Sequence, residues 1–156
     1  MLSDFWYSRS IVITDDHLFG RILQIMLKSF GFDSVEIVHD LPQLRKQQTY
    51  IRHDLIVADG ELASHDCSDL LLSARTDPLL APTLFVMVTE DTSARFYERC
   101  MRRGADAVIH KPVSPMDLAN VVTAPLASKR AWRGKLVPHR RCLPTRAFQA
   151  EGRVEP

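Results

Sequence analysis

No run of apolar residues in this 156-residue chain approaches the ~20 needed to cross a bilayer. The first ten residues, MLSDFWYSRS, have neither a basic start nor a signal-peptide apolar stretch, so the expected location is the cytoplasm. Cysteine is scarce. Cys67, Cys100 and Cys142 are odd in number, widely spaced and without a CxxC pair, which argues against a disulfide framework or a zinc site and reads them as buried or incidental thiols. The six histidines are scattered, with no i, i+4 pair of the metal-binding kind on a helix.

What is present suits a packed domain. Apolar residues make up 46% of the chain and charged residues 25%, too apolar for a largely disordered chain. The net charge of +1 hides an asymmetry. Residues 1–127 hold 12 Lys/Arg against 17 Asp/Glu, a net of −5, while residues 128–156 hold eight Lys/Arg against Glu151 and Glu155, a net of +6. The expected organisation is therefore a compact domain over 9–127 and a basic, flexible tail over 128–156. The tail contains three prolines and two glycines and lacks apolar periodicity. It is shorter than a helix-turn-helix output domain needs. Its clusters Lys129-Arg130 and His139-Arg140-Arg141 read mainly as a solvated, solubilising tail, so nucleic acid is not an expected partner.

Between Ser10 and Ala127, short β-branched or apolar runs alternate with longer amphipathic stretches, the pattern of βα units around a parallel sheet. Strands are predicted at 11–13, 35–38, 55–58, 84–88 and 107–109. Most are apolar throughout, as strands covered on both faces must be. The first helix follows from Leu18, Ile22, Ile25, Met26 and Phe30 at helical spacing, with Gly31 closing it in a left-handed conformation and the apolar positions expected in the core. Further helices are predicted over 41–50, 66–75, 93–103 closing at Gly104, and 115–126, with Pro115 in a tolerant first turn.

In an open parallel sheet, ligands bind outside the carboxyl ends of the strands, near the point where strand order reverses. The residues that follow the strands are Asp15 and Asp16 after the first, His39-Asp40 after the second, Asp59 after the third, Thr89 after the fourth and Lys111 after the fifth. Three carboxylates converging on one edge repel one another unless a cation lies between them. All donors are oxygens, which selects Mg²⁺, an ion that takes one or two carboxylates, waters and a phosphate oxygen. Lys111 and Thr89 then suit phosphoryl transfer, where catalysis is positioning and charge neutralisation, and an Asp carboxylate can itself be the nucleophile.

With these residues in place, residues 9–127 resemble the receiver domain of response regulators, typified by the chemotaxis receiver. The matching stretches are IVITDDHLFGRIL, DLIVADGEL, FVMVTED and GADAVIHKPVSPMDL, in the family's order and spacing. The resemblance implies a flavodoxin-like, doubly wound five-stranded parallel sheet of order 2-1-3-4-5 with five flanking helices. It implies Asp59 as phosphoacceptor and metal ligand, Asp16 as a direct Mg²⁺ ligand, Asp15 as a ligand largely through water, and the main-chain carbonyl of Glu61 completing the protein shell. Lys111 would bond the phosphoryl group, Thr89 would move toward it, and the Lys111-Pro112 peptide bond would be cis. The implied partners are a sensor histidine kinase or histidine phosphotransfer protein upstream and a protein target downstream. The surface of the fourth helix, fifth strand and fifth helix would carry the signal and is also a candidate homodimer face.

Three positions depart from the family pattern. Leu62-Ala63 replaces a Met-Pro pair after the acceptor; Glu90 replaces a small residue after the hydroxyl residue and would oppose an incoming phosphodonor; Val108 replaces an aromatic three residues before the lysine and would uncouple the usual threonine-aromatic motion. The expectation is a single-domain response regulator, a switch that catalyses only its own phosphorylation and dephosphorylation. A degenerate receiver working through constitutive contacts is the alternative. A haloacid-dehalogenase phosphatase requires a DxD after the first strand, and a flavodoxin or dinucleotide protein a Gly- or Ser/Thr-rich loop there; TDDH matches neither.

Overall fold

The computed structural model describes residues 8–50, 53–63 and 66–123. The predicted tail and the last residues of the fifth predicted helix lie outside these, as does Cys142. Strands β1 (Arg9–Ile13), β2 (Ser34–Val38), β3 (Leu55–Asp59), β4 (Leu84–Thr89) and β5 (Ala107–His110) alternate with helices α1 (His17–Ser29), α2 (Leu41–Tyr50), α3 (Cys67–Thr76) and α4 (Ala94–Arg103). A fifth helix, α5, is described over 115–123. All strand pairings are parallel and the order is β2-β1-β3-β4-β5. The expected doubly wound sheet is therefore the one observed.

Strand pleating sorts the side chains onto two faces. Ile11, Ile13, Ile56, Ala58, Phe85 and Met87 join Leu44 of α2, Leu70 and Leu71 of α3, and Phe96 and Cys100 of α4 in one core. Val12, Leu55, Val57, Leu84, Val86 and Val88 join Leu23 and Leu27 of α1 and Leu118 and Val122 of α5 in the other. The central strands carry no polar face because both sides are dry, and each fully buried Leu, Ile or Phe contributes roughly 1.5–3 kcal/mol.

Side-chain caps set the helix boundaries. Asp16, Asp66 and Ser93 accept from the first-turn N–H groups of Phe19, Ser68 and Phe96. Gly31 (φ 105°) and Gly104 (φ 113°) take the left-handed conformations expected of them after α1 and α4.

The buried face of α1 is only partly the one its spacing suggested: Phe30 is buried and Met26 packs against the same core. Leu18, Ile22 and Ile25 are 70%, 42% and 62% exposed, whereas Gly20, Leu23 and Leu27 are buried. The helix carries two apolar stripes, and the sheet takes the one containing Gly20. There a Cβ would lie 3.1 Å from Thr14 Cγ2, so the missing side chain lets the helix approach β1 closely.

At the opposite edge of the sheet from the predicted site, Arg75 at the end of α3 ties together the segments that lead into β4 and β5. Its guanidinium donates to the carbonyls of Gly104 (2.9 Å), Ala81 (2.8 Å) and Thr83 (2.7 Å) and pairs with Asp106 (2.9 Å). Asp106 also accepts from Phe85 N–H at 2.8 Å, so one buried ion pair fixes both strand starts.

Candidate functional site

Asp59 ends β3 with a buried carboxylate at the carboxyl edge of the sheet. Its Oδ1 accepts from Lys111 Nζ at 2.9 Å and from Glu61 N–H at 2.9 Å, and its Oδ2 accepts from the Thr14 hydroxyl at 2.6 Å. Three strand ends thus meet on one side chain: β1 through Thr14, β3 through Asp59 itself and β5 through Lys111. Thr89, at the end of β4, completes the row. Its hydroxyl donates to Glu61 Oε2 at 2.7 Å and accepts from Asp91 N–H at 3.0 Å.

Lys111 pairs at 2.9 Å with both Asp59 Oδ1 and Glu61 Oε1, and its ammonium lies 4.4 Å from the centre of the Phe19 ring. Partial burial alone would lower its pKa, but the hydrogen bonds and charges of Asp59 and Glu61 outweigh that and hold it above the ordinary lysine value. Lys111 therefore stays cationic at the carboxyl edge of the sheet. The peptide bond to Pro112 is cis, as expected.

The acidic pair sits on the loop from β1 into α1. Asp16 Oδ1 caps α1 by accepting from Phe19 N–H at 3.0 Å, and its own N–H donates to Thr14 Oγ1 at 3.0 Å. Asp15 Oδ2 accepts from Ala63 N–H at 3.0 Å, tying this loop to the one that follows Asp59. Among the described residues, no three carboxylates are gathered at metal-ligand spacing. Asp15 and Asp16 instead turn toward backbone N–H groups beside the Asp59 cluster. The donor set is still made of oxygens alone, which fits a hard divalent cation.

Several contributions were not visible in the sequence. Thr14 precedes the more conspicuous Asp15-Asp16 pair; its position at the end of β1, level with the other strand ends, is its only signal in the sequence. Glu61 was expected to act through its main-chain carbonyl, yet its carboxylate lies across the site. Gly60 permits this: a Cβ there would lie 2.9 Å from Thr89 Cβ. Leu62, where the family motif departs, is buried in the core, and Val108 packs partly buried against the α3–α4 side. The Glu90 side chain is exposed, while its N–H donates to Glu61 Oε2 at 3.1 Å.

The model of the response regulator receiver domain matches residues 11–123. The chain belongs to the response regulator receiver family. Receiver domains are signalling switches of two-component systems and generally bind Mg²⁺ in an acidic pocket. This receiver is 27% identical over 103 residues to a Rhizobium etli protein named "Probable chemotaxis protein CheY", covering 65% of the chain and 80% of that relative. It is 30% identical over 118 residues to the DNA-binding response regulator MtrA of Mycobacterium tuberculosis, covering 76% of the chain and 50% of MtrA. The chain therefore spans only half the length of that relative. Among solved structures, a CheY-like receiver domain protein from Methanospirillum hungatei JF-1 superposes with a TM-score of 0.70 at 25% identity, over 80% of this chain and 97% of that one. No helix among the described residues is long and apolar enough to cross a membrane.

Proposed function

We propose that this receiver accepts a phosphoryl group on Asp59 from the phosphohistidine of a sensor kinase or phosphotransfer protein, in the cytoplasm, and signals through altered protein contacts. The observation that carries this reading is the buried Asp59 carboxylate held 2.9 Å from the Lys111 ammonium, with the Thr89 hydroxyl on the next strand. A carboxylate oxygen of Asp59 attacks phosphorus and the phosphorus–nitrogen bond breaks. The histidine nitrogen leaves with the electron pair, so an acyl phosphate forms. Lys111 offsets the charge on the phosphoryl oxygens and Thr89 donates a hydrogen bond to one of them. Thr14 holds the acceptor carboxylate in place. Asp15, Asp16, Asp59 and the Glu61 carbonyl would hold Mg²⁺, which supplies further neutralisation of the transferring group.

The exposed stripe of Leu18, Ile22 and Ile25 is the proposed contact surface for the upstream partner. It starts beside Asp16, at the rim of the site, where a protein presenting phosphohistidine to Asp59 must rest. The face of α4, β5 and α5 is the proposed output and homodimer surface. There Val108 fills the inward position that an aromatic commonly holds in the family.

Incubation of the full chain with Mg²⁺ and a small phosphodonor such as acetyl phosphate, followed by intact mass measurement, tests the acceptor. Wild type gains one phosphoryl group and Asp59→Asn gains none. Equal gain by both proteins would remove Asp59 from the role.

A further inference from the structure

We propose that the Glu61 carboxylate is an internal stand-in for the phosphoryl group, so that the receiver competes with its own phosphodonor. The inference rests on the reading of Asp59 as acceptor. Glu61 Oε1 lies 2.9 Å from Lys111 Nζ, and Oε2 lies 2.7 Å from Thr89 Oγ1 and 3.1 Å from Glu90 N. One carboxylate therefore takes a cation from β5 together with a hydroxyl and an N–H from the end of β4. These are the donors that a tetrahedral anion attached to Asp59 would call on.

The backbone places it there. Glu61 N–H donates to Asp59 Oδ1, which fixes where the side chain begins, and Gly60 lies flat against Thr89, so the chain turns back over the site instead of into water. Asp59 and Glu61 would repel each other at this range, but the shared Lys111 ammonium links them. The arrangement is reversible at little structural cost. The Glu61 side chain is 38% exposed, so it can swing into solvent without disturbing either core.

A ligand that must first displace this carboxylate binds with an apparent affinity reduced by the fraction of molecules in which the donors are open. Charge-assisted hydrogen bonds of this kind are worth enough to close the site in most molecules, so removing the carboxylate should tighten an anionic ligand about tenfold. Beryllofluoride, which attaches to an Asp carboxylate as a phosphoryl analogue, is the probe. Its apparent affinity in saturating Mg²⁺ is measured by calorimetry on the full chain for wild type, Glu61→Ala, Glu61→Gln, Glu90→Gln and Asp59→Asn. Glu61→Ala and Glu61→Gln should both bind about tenfold tighter. Glu90→Gln, which removes a nearby charge but no occupant, should gain well under that. Without metal, the Glu90 amide proton should move upfield in Glu61→Ala, reporting loss of its charged acceptor.

A merely structural role for Glu61 would weaken binding on substitution, the opposite direction. Unchanged or weaker binding in both Glu61 variants, with binding lost in Asp59→Asn, overturns the stand-in and leaves the acceptor intact. An equal gain in Glu90→Gln also overturns it, because the effect would then be one of overall charge. Binding by Asp59→Asn equal to wild type overturns the acceptor assignment and the stand-in together.

Discussion

Replacing Thr14 with valine removes a hydroxyl and keeps the shape. Thr14 is fully buried, its Oγ1 donates to Asp59 Oδ2 at 2.6 Å and accepts from Asp16 N–H at 3.0 Å, and its methyl packs where α1 approaches β1 at Gly20. A hydrogen bond to a charged partner is worth about 1.5–3 kcal/mol, and the carboxylate left behind is buried where water cannot easily replace the donor. The Asp16 N–H lies nearer the rim and recovers part of its loss from solvent. We expect Thr14→Val to lose about 2 kcal/mol. Thr14→Ser keeps both bonds and gives up one methyl, a loss of about 1 kcal/mol. The order of stability should be wild type, then Thr14→Ser, then Thr14→Val. Urea unfolding followed by far-ultraviolet circular dichroism measures it; with a slope of about 2 kcal/mol per molar, the valine midpoint falls by about 1 M. If Thr14 only fills space, the order inverts and valine is at least as stable as wild type. That result would refute the claim that its hydroxyl holds Asp59.

Two further outcomes are expected. Arg75→Met should cost about 3–5 kcal/mol in the same unfolding measurement, because it strands the Asp106 carboxylate, only 6% exposed, without its cation; a loss below about 1 kcal/mol would mean that the four contacts are incidental. Asp66→Ala should lose about 1 kcal/mol as a helix cap. The Ser68 N–H bonded to the ionised form holds the Asp66 pKa below the ordinary carboxylate value. Its contribution is therefore present above that ordinary value and fades as pH falls through the lower folded-state value. The gap between wild type and Asp66→Ala should narrow on acidification, and a gap independent of pH would exclude the ionised cap.

The strands were legible because β3 and β4 are buried at every position, and a short apolar run flanked by amphipathic stretches has few other uses. The starts of α3 and α4 near Asp66 and Ser93 and the closing glycines were legible for the same local reason, though the capping bonds themselves were not. Where α1 carries two apolar stripes, periodicity could not choose between them. The choice lay in Gly20, whose importance depends on a neighbouring strand and not on its own sequence context. The row of strand-end residues was readable from topology alone, since a parallel sheet places every carboxyl end on one edge. The reach of the Glu61 side chain was not, because it depends on Gly60 pressing against Thr89 across two strands. The Asp15 bond to Ala63 N–H spans 48 positions and leaves no trace in residue spacing.

The clamp at Arg75 gives α4 a fulcrum. The carbonyl of Gly104, directly after the helix, is pinned to the guanidinium, while the other end begins at Ser93, four residues beyond Thr89. Ten residues of helix make a lever about 15 Å long. Any tilt of that lever is small at the pinned end and largest beside the hydroxyl, so a displacement too slight to disturb the core is magnified along the surface a downstream protein would read.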